Sequence, residues 1–142
     1  MEQLGIGAML QILGGNESSY KAYHESLNKK ITAIKLDPEL NGGDGALVIS
    51  FKDGTNLMLC DKARSCCESR WMSTDDDLTH YVGGTLKDIG IKAGPETDAD
   101  GEPTESMFMH VKTTKGTFVV NTYNSHNGYY GGIYIEASLT TD

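Results

Sequence analysis

Residues 46–60 read Ala-Leu-Val-Ile-Ser-Phe-Lys-Asp-Gly-Thr-Asn-Leu-Met-Leu-Cys, and this stretch decides the type of fold. Large apolar side chains recur at every second position of each half, which places them on one face of a strand. These residues are Leu47, Ile49, Phe51, Leu57 and Leu59. Asp53-Gly54 separates the two halves, and this dipeptide suits the positive φ angles of a type I′ turn. The stretch therefore predicts a β-hairpin with strands at 46–51 and 55–60.

The chain from residue 30 onward continues as short strands separated by turns. Further strands are predicted at 31–36, 86–93, 107–113, 117–123 and 129–138. Because these strands follow one another through turns, we expect them to pair in antiparallel fashion. The expected fold class is α+β, a single domain with a mainly antiparallel sheet of six or seven strands and two or three short helices.

Residues 1–26 differ from the rest and are predicted to be an N-terminal helical extension. One short helix is expected within 4–13 and a second at 18–27, since apolar residues recur there at helical spacing. The extension is expected either to cap the core or to pair with a copy of itself, which would give a homo-oligomer. Residues 27–142 are expected to form the antiparallel α+β domain.

Length, charge and cysteine content limit the classes of protein to which the chain can belong. A chain of 142 residues suits one domain with its own core. The formal charge of −8 disfavours a protein that coats nucleic acid, because that affinity comes from many Lys and Arg contacts to phosphates. Three cysteines do not form a secreted disulfide framework, and no signal peptide or membrane span is recognised. We expect a cytoplasmic protein without membrane or bulk nucleic-acid contacts.

Residues 63–78 concentrate cysteines, arginines, the single tryptophan and an acidic triplet. The adjacent Cys66 and Cys67 are poorly spaced for one zinc ion, whose paired cysteine ligands usually have about two to four residues between them. A nucleophilic cysteine would need Arg64, Arg70 or His126 nearby to favour the thiolate. The third interpretation is that both thiols pack where a strand turns into a helix. No metal and no cofactor is expected.

Two acidic stretches have a composition similar to that of cation sites. Residues 75–77 are three aspartates after Thr74. This pattern favours a short helix that Thr74 caps, with all three acids in its first turn, over a bound cation. Residues 96–101 imitate the first half of an EF-hand loop, but Met107 stands where the bidentate acid would be required. Residues 94–105 are therefore expected to be a solvated acidic loop.

Residues 124–130, Asn-Ser-His-Asn-Gly-Tyr-Tyr, place amides, an imidazole and two phenols on an expected β-turn. Amide and aromatic side chains that converge on a cleft are suited to a polar, ring-bearing ligand. The alternative is a turn that requires Asn127-Gly128 and buries Tyr130. Both interpretations stay open at the level of sequence.

Several short motifs resemble those of a family of small, uncharacterised phage and bacterial proteins, over about residues 27–136. The matching positions are Leu27, Lys30, Ile31 and Ile34, the turn Asp53-Gly54, the signature Cys66-Cys67-Glu68, then Asp77, Leu78, Gly84 and Leu86 or Lys87, and finally Ser125, His126, Asn127, Gly128, Tyr129 and Tyr130. The Cys-Cys-Glu and Asn-Gly-Tyr-Tyr motifs are the specific part of this resemblance. It implies a phage or prophage origin and no particular activity.

The expected function is that of a phage-encoded, non-enzymatic binding protein that sequesters a small polar ligand, such as a nucleotide signal of host immunity. The expected ligand-binding residues are Arg64, Cys66, Cys67, Glu68, Arg70, Trp71, Asn124, His126, Asn127, Tyr129 and Tyr130. Arginines would contact a phosphate, aromatic rings would stack on a base and asparagines would hydrogen-bond to it. Two alternatives stay open, a cysteine-dependent enzyme with His126 as base and an inhibitor or adaptor acting on a host protein.

Overall fold

The structure of the protein is a computed structural model that describes residues 4–5, 17–63, 69–94, 97–99, 102–125 and 133–141. This part of the chain contains one α-helix and ten β-strands. They are α1 Glu17–Ser26, β1 Leu4–Gly5, β2 Ile31–Asp37, β3 Ala46–Phe51, β4 Thr55–Asp61, β5 Ser69–Ser73, β6 Leu86–Ala93, β7 Thr97–Ala99, β8 Glu102–Thr113, β9 Gly116–Ser125 and β10 Ile135–Thr141, with short 3-10 helices at Asn41–Gly43 and Leu78–Tyr81. No helix among these residues has the length and hydropathy needed to span a bilayer.

The strands form two antiparallel sheets. The first sheet has the strand order β10-β4-β3-β2, and the second has the order β1-β6-β8-β9-β5, with β7 added to β8. Both sheets contribute apolar side chains to one buried core, and this shared burial holds the sheets against each other. The largest fully buried side chains are Phe118, Ile31, Leu47, Ile49, Leu57, Leu59, Leu86, Ile89, Met109 and Ile135.

The predicted hairpin of β3 and β4 is confirmed, but its turn is of another type. The N–H of Gly54 donates to the carbonyl of Phe51 at 3.1 Å, and Gly54 alone in this turn has a positive φ, of 87°. A type I′ turn needs two successive residues with positive φ, so that prediction is wrong. Asp53 instead accepts hydrogen bonds from the N–H and hydroxyl of Thr55 and pairs with Lys29 at 2.8 Å.

Helix α1 confirms the predicted second helix and packs along the edge strand β10. The hydroxyl of Ser19 accepts a hydrogen bond from the N–H of Ala137 on that strand at 3.1 Å. Ala22 joins the core, and the hydroxyl of Tyr23 donates to Asp88 of the second sheet at 2.7 Å. The helix thus contacts both sheets and covers an edge that would otherwise expose unpaired backbone groups.

The prediction of a mainly antiparallel fold with short helical segments is confirmed at that level, although ten strands replace the expected six or seven. The additional strands are β1, β5 and β7, which are short and lack an alternating apolar pattern. Leu4–Gly5 is extended and pairs with β6, so the helix expected from residue 4 is wrong at its start. Residues 6–16 lie outside the described part of the chain. Strand β8 begins at Glu102, so part of the expected acidic loop belongs to the sheet.

Candidate functional site

The site was predicted from residues 63–78 and 124–130, and the described parts of these two stretches meet in the second sheet. Strand β5 pairs with β9 so that Ser69 lies opposite Ser125 and Arg70 lies opposite Asn124. Of the predicted ligand-binding residues, Arg70, Trp71 and Asn124 are described. The others lie outside the described residues, and they are Arg64, Cys66, Cys67, Glu68, His126, Asn127, Tyr129 and Tyr130.

Arg70 lies between the sheets in a buried ion pair. Its Nη1 is 2.6 Å from Oδ2 of Asp61 at the end of β4, and both side chains are 3% exposed. The other carboxylate oxygen of Asp61 accepts hydrogen bonds from the backbone N–H groups of Ala63 and Tyr134, each at 3.1 Å. Burial raises the pKa of Asp61 above its ordinary value, although the guanidinium and these N–H groups favour the carboxylate. The pair joins the two sheets, and direct ligand contact by Arg70 or the buried Asn124 stays a prediction.

Trp71 faces the opposite side of the sheet, because side chains alternate along a strand. It is 41% exposed and lies opposite Tyr123, with the ring centroids 5.2 Å apart and the planes tilted by 23°. We call the side of the second sheet that is turned away from the core the outer face. Trp71 and Tyr123 therefore form a stacked pair on the outer face, and the structure does not bring Trp71 to the same surface as Arg70.

A cleft of about 360 Å³ lies on the outer face, and we call it the Phe108 cleft. It is lined by Asp75, Asp76, Lys92, Phe108, His110, Val119 and Asn121. Strand register explains this grouping, because Phe108 on β8 lies opposite Lys92 on β6 and Asn121 on β9. His110 lies opposite Val119 in the next row. Directly opposed residues of antiparallel strands share a face, so these side chains project together.

A glycine leaves room for the Phe108 ring beside the cleft. A Cβ atom added at Gly94 would collide with Oγ of Ser106 and would also lie 2.9 Å from both Cε2 and Cζ of Phe108, closer than nonbonded carbon atoms approach. The N–H of Gly94 donates to the carbonyl of Ser106 at 3.0 Å, which fixes the backbone next to the ring. The ring therefore lies across a backbone position that has room for it only because no side chain is present.

Asp75 and Asp76 form an acidic rim of the cleft. Side-chain hydrogen bonds hold this segment against β9 where the backbone pairing of β5 has ended. Strand β5 ends at Ser73, opposite Asn121. Beyond that point the hydroxyl of Thr74 donates to the carbonyl of Val119 at 2.7 Å, and the carboxylate of Asp76 accepts from the N–H of Val119 at 2.8 Å. These two bonds continue the edge of the sheet and hold the intervening Asp75 at the rim.

The three consecutive aspartates have different roles. The 3-10 helix begins at Leu78, and Asp77 caps it by accepting hydrogen bonds from the N–H of Thr79 at 3.1 Å and its hydroxyl at 2.6 Å. The side-chain and backbone hydrogen bonds from Thr79 lower the pKa of Asp77. The expectation that all three acids lie in the first turn of a helix is wrong, because Asp75 and Asp76 precede the helix and line the cleft.

Comparison with known proteins places most of the chain in one family. A family model described as "Domain of unknown function (DUF7448)" matches residues 24–135. The chain belongs to the DUF7448 family. No curated protein and no solved structure matches it. The DUF7448 match contains every residue that lines the Phe108 cleft, and it confirms the resemblance to an uncharacterised family.

The described part of the DUF7448 chain contains no side chains arranged as a set of metal ligands. There, no group of three or more His, Cys, Asp and Glu side chains could hold an ion. Cys60 is buried within β4. Cys66 and Cys67 lie outside the described residues, so the structure does not test the interpretations of this pair.

Sequence reasoning missed most of the Phe108 cleft. Its residues on β8 and β9 fall between the apolar core residues, at positions that a strand pattern assigns to solvent. Residue type was the one available signal, because an aromatic ring, an imidazole and an amide are an unusual combination on a strand face that only contacts water. These residues are Phe108, His110 and Asn121. Which strands lie next to one another decides whether such residues meet, and that information is absent from local patterns.

Proposed function

We propose that this protein is a non-enzymatic binding protein that holds a small polar ligand with a flat ring in the Phe108 cleft. The observation that carries the proposal is the grouping of an aromatic ring, an imidazole, an amide and charged groups of both signs around one cavity. Ligand sites typically combine an apolar surface with a few polar groups that set orientation. The cleft has both properties, and its lining residues other than Asp75 and Asp76 lie on strands, which position side chains more firmly than loops do.

The aromatic part of the cleft suits a heterocyclic base. Phe108 offers a flat apolar surface, and stacking of a base on an aromatic side chain contributes about 1–3 kcal/mol. The carboxamide of Asn121 both donates and accepts hydrogen bonds, so it can pair with the edge of such a base. His110 lies one row along the sheet from Phe108, where it extends the surface available to the ring.

The charges of the cleft favour a ligand with few negative groups. Lys92 supplies a cation for one phosphate, whereas Asp75 and Asp76 attract amino groups and repel phosphates. The chain has a formal charge of −8, which also opposes polyanions at long range. A nucleoside or a nucleotide with a single phosphate per base fits these charges better than a triphosphate.

Sequestration of a nucleotide signal of host immunity is the biological role that we propose for this binding. The resemblance to phage and bacterial proteins implies a phage or prophage origin, and action in the host cytoplasm belongs to the same proposal. The proposed homo-oligomeric assembly depends on the N-terminal extension, residues 1–26. The cysteine-dependent enzyme and the inhibitor of a host protein stay alternative hypotheses. The first depends on Cys66 or Cys67 and the second on the acidic surface.

Binding of the four nucleoside monophosphates, followed by calorimetry and by fluorescence of the single tryptophan, tests the proposal. Replacing Phe108 with Ala should weaken binding about 5- to 150-fold, the equivalent of the stacking energy. The matched control is Tyr134→Ala, since Tyr134 is 45% exposed and does not line the cleft. Absence of binding by all four nucleotides, or equal losses in both variants, would refute the proposal.

Native mass spectrometry of freshly purified protein addresses the ligand and the assembly together. The expected result is an oligomer that carries an extra mass of nucleotide size and loses it on denaturation. A monomer would contradict the proposed oligomer. Loss of the extra mass from the Phe108→Ala variant, with retention in Tyr134→Ala, would locate the ligand in the cleft.

A further inference from the structure

The outer face carries a second aromatic surface beside the Phe108 cleft. Tyr123 follows Asn121 by two residues on β9, so their side chains project from the same side of the sheet. Trp71 on β5 stacks against Tyr123 and keeps 41% of its surface exposed. The outer face therefore has one row that ends in the Trp71–Tyr123 pair and a neighbouring row that contains Phe108.

The distance between these rows follows from strand geometry. Residues two apart on a strand are separated by about 6.8 Å along it, twice the rise per residue. Phe108 on β8 and Trp71 on β5 also lie on opposite sides of β9, which adds about 9–10 Å across the sheet at about 4.7–4.9 Å per pair of strands. Bases stacked directly on each other lie about 3.4 Å apart along a strand. The rows are thus too far apart to share one ring, and they are suited to two rings that each lie on a separate aromatic surface.

We propose that the outer face binds two bases of one dinucleotide, the first in the Phe108 cleft and the second on the Trp71–Tyr123 pair. This inference rests on the proposed function and names the ligand class of the same site. Sheets that present aromatic side chains on adjacent strands stack two or three successive bases in RNA-binding domains. Trp71 is then the residue that distinguishes a two-base ligand from a one-base ligand.

Charge limits the ligand to a short one. Binding of a longer single strand relies on a positively charged groove that follows its backbone. Here Lys92 contributes one cation to the cleft, whereas Asp75 and Asp76 form its rim. The shared chemistry is two bases joined through phosphodiester linkage, which linear and cyclic dinucleotides both provide.

Affinity for nucleotides of increasing length tests the inference. The probes are each nucleoside monophosphate, its linear 3′,5′-linked homodinucleotide, the cyclic homodinucleotide and the linear hexanucleotide, with the full-length protein. We expect one of the dinucleotides to bind at least about tenfold more tightly than its mononucleotide. The linear and cyclic probes then identify which form the face prefers.

Variants of the two aromatic surfaces make the result specific. Trp71→Leu keeps an apolar side chain but removes the flat ring, and it should abolish the dinucleotide gain while changing mononucleotide affinity less than about twofold. Trp71→Ala is the second variant, Tyr134→Ala is the control and thermal melting checks that each protein is folded. Phe108→Ala should weaken both classes of probe.

Three results would overturn the inference. Equal affinity for mononucleotide and dinucleotide would remove the second base site while leaving the proposed function intact. A hexanucleotide that binds tenfold more tightly than either dinucleotide would assign the face to single-stranded nucleic acid. Unchanged dinucleotide affinity in both Trp71 variants would show that the second base lies elsewhere. Failure of every mononucleotide to bind would refute the proposed function itself.

Discussion

Removing the guanidinium of Arg70 should destabilise the protein strongly. Arg70→Met keeps an unbranched apolar chain but leaves the carboxylate of Asp61, which is 3% exposed, with its two N–H donors and without the guanidinium. At an effective dielectric constant of 20, unit charges about 4 Å apart attract each other by about 4 kcal/mol. Removing one partner of a buried pair typically costs about 3–5 kcal/mol. We therefore expect Arg70→Met to lower the free energy of unfolding by about 3–5 kcal/mol.

A double-mutant cycle in urea separates the pair from its surroundings. Asp61→Asn should also be destabilising, because it removes the carboxylate that pairs with the buried guanidinium. The double variant Asp61→Asn/Arg70→Met should lose less than the sum of the single variants by about 2 kcal/mol, since neither charge of the pair remains. Additive single effects below about 1 kcal/mol each would refute a buried, coupled ion pair. Arg70→Glu is not a suitable test of ligand binding, because it would place a second carboxylate beside that of Asp61 in the core and so would change folding itself.

Three further predictions concern stability and the cleft. Tyr23→Phe should cost about 1 kcal/mol at neutral pH, because it removes the hydroxyl that donates to Asp88. Burial and the hydrogen bond to Asp88 raise the pKa of Tyr23, so this advantage of the wild type is present below pH 10 and is lost as the pH rises through the folded-state pKa. Gly94→Ala should displace the Ser106 hydroxyl and the Phe108 ring, and the shift of the ring should weaken nucleotide binding several-fold. Leu57→Ala should lower the free energy of unfolding by about 2–5 kcal/mol, since Leu57 is fully buried.

Each of these predictions has a result that contradicts it. Urea unfolding curves from pH 7 to 11 that keep a constant gap between wild type and Tyr23→Phe would exclude the tyrosine hydroxyl as the titrating contact. Wild-type nucleotide affinity in Gly94→Ala would show that the ring position does not matter for binding. A loss below about 1 kcal/mol for Leu57→Ala would indicate that β4 is less tightly packed than its burial implies.

Stretches with a strong local pattern could be predicted from the sequence. The β3–β4 hairpin followed from alternating apolar residues around Asp53-Gly54, although the turn closes around a single positive φ at Gly54. Strand β5 was missed because Ser-Arg-Trp-Met-Ser has no apolar alternation. It forms because β9 offers a complete set of pairing partners from Ser125 to Asn121. Pairing with a distant strand outweighed the weak local preference.

The candidate site also has features that local sequence predicts and features that only strand pairing decides. Arg70 and Trp71 are adjacent in sequence and were predicted to serve one pocket, yet they lie on opposite faces of β5. Their separation follows from the alternation of side chains once a strand is present. Phe108, Lys92 and Asn121 are far apart in sequence and meet only through the register of three strands. No local pattern encodes that register.

The sequence by itself determined the antiparallel character of the fold, the position of the main hairpins and the membership of the DUF7448 family. These properties depend on residue type and on spacing within a few positions, which the chain carries locally. The tertiary structure alone decided that Arg70 joins the sheets, that Trp71 stacks on the outer face and that a cleft forms around Phe108. Those properties depend on which distant strands pair and on which face is buried, and the packing of the two sheets on one core sets both.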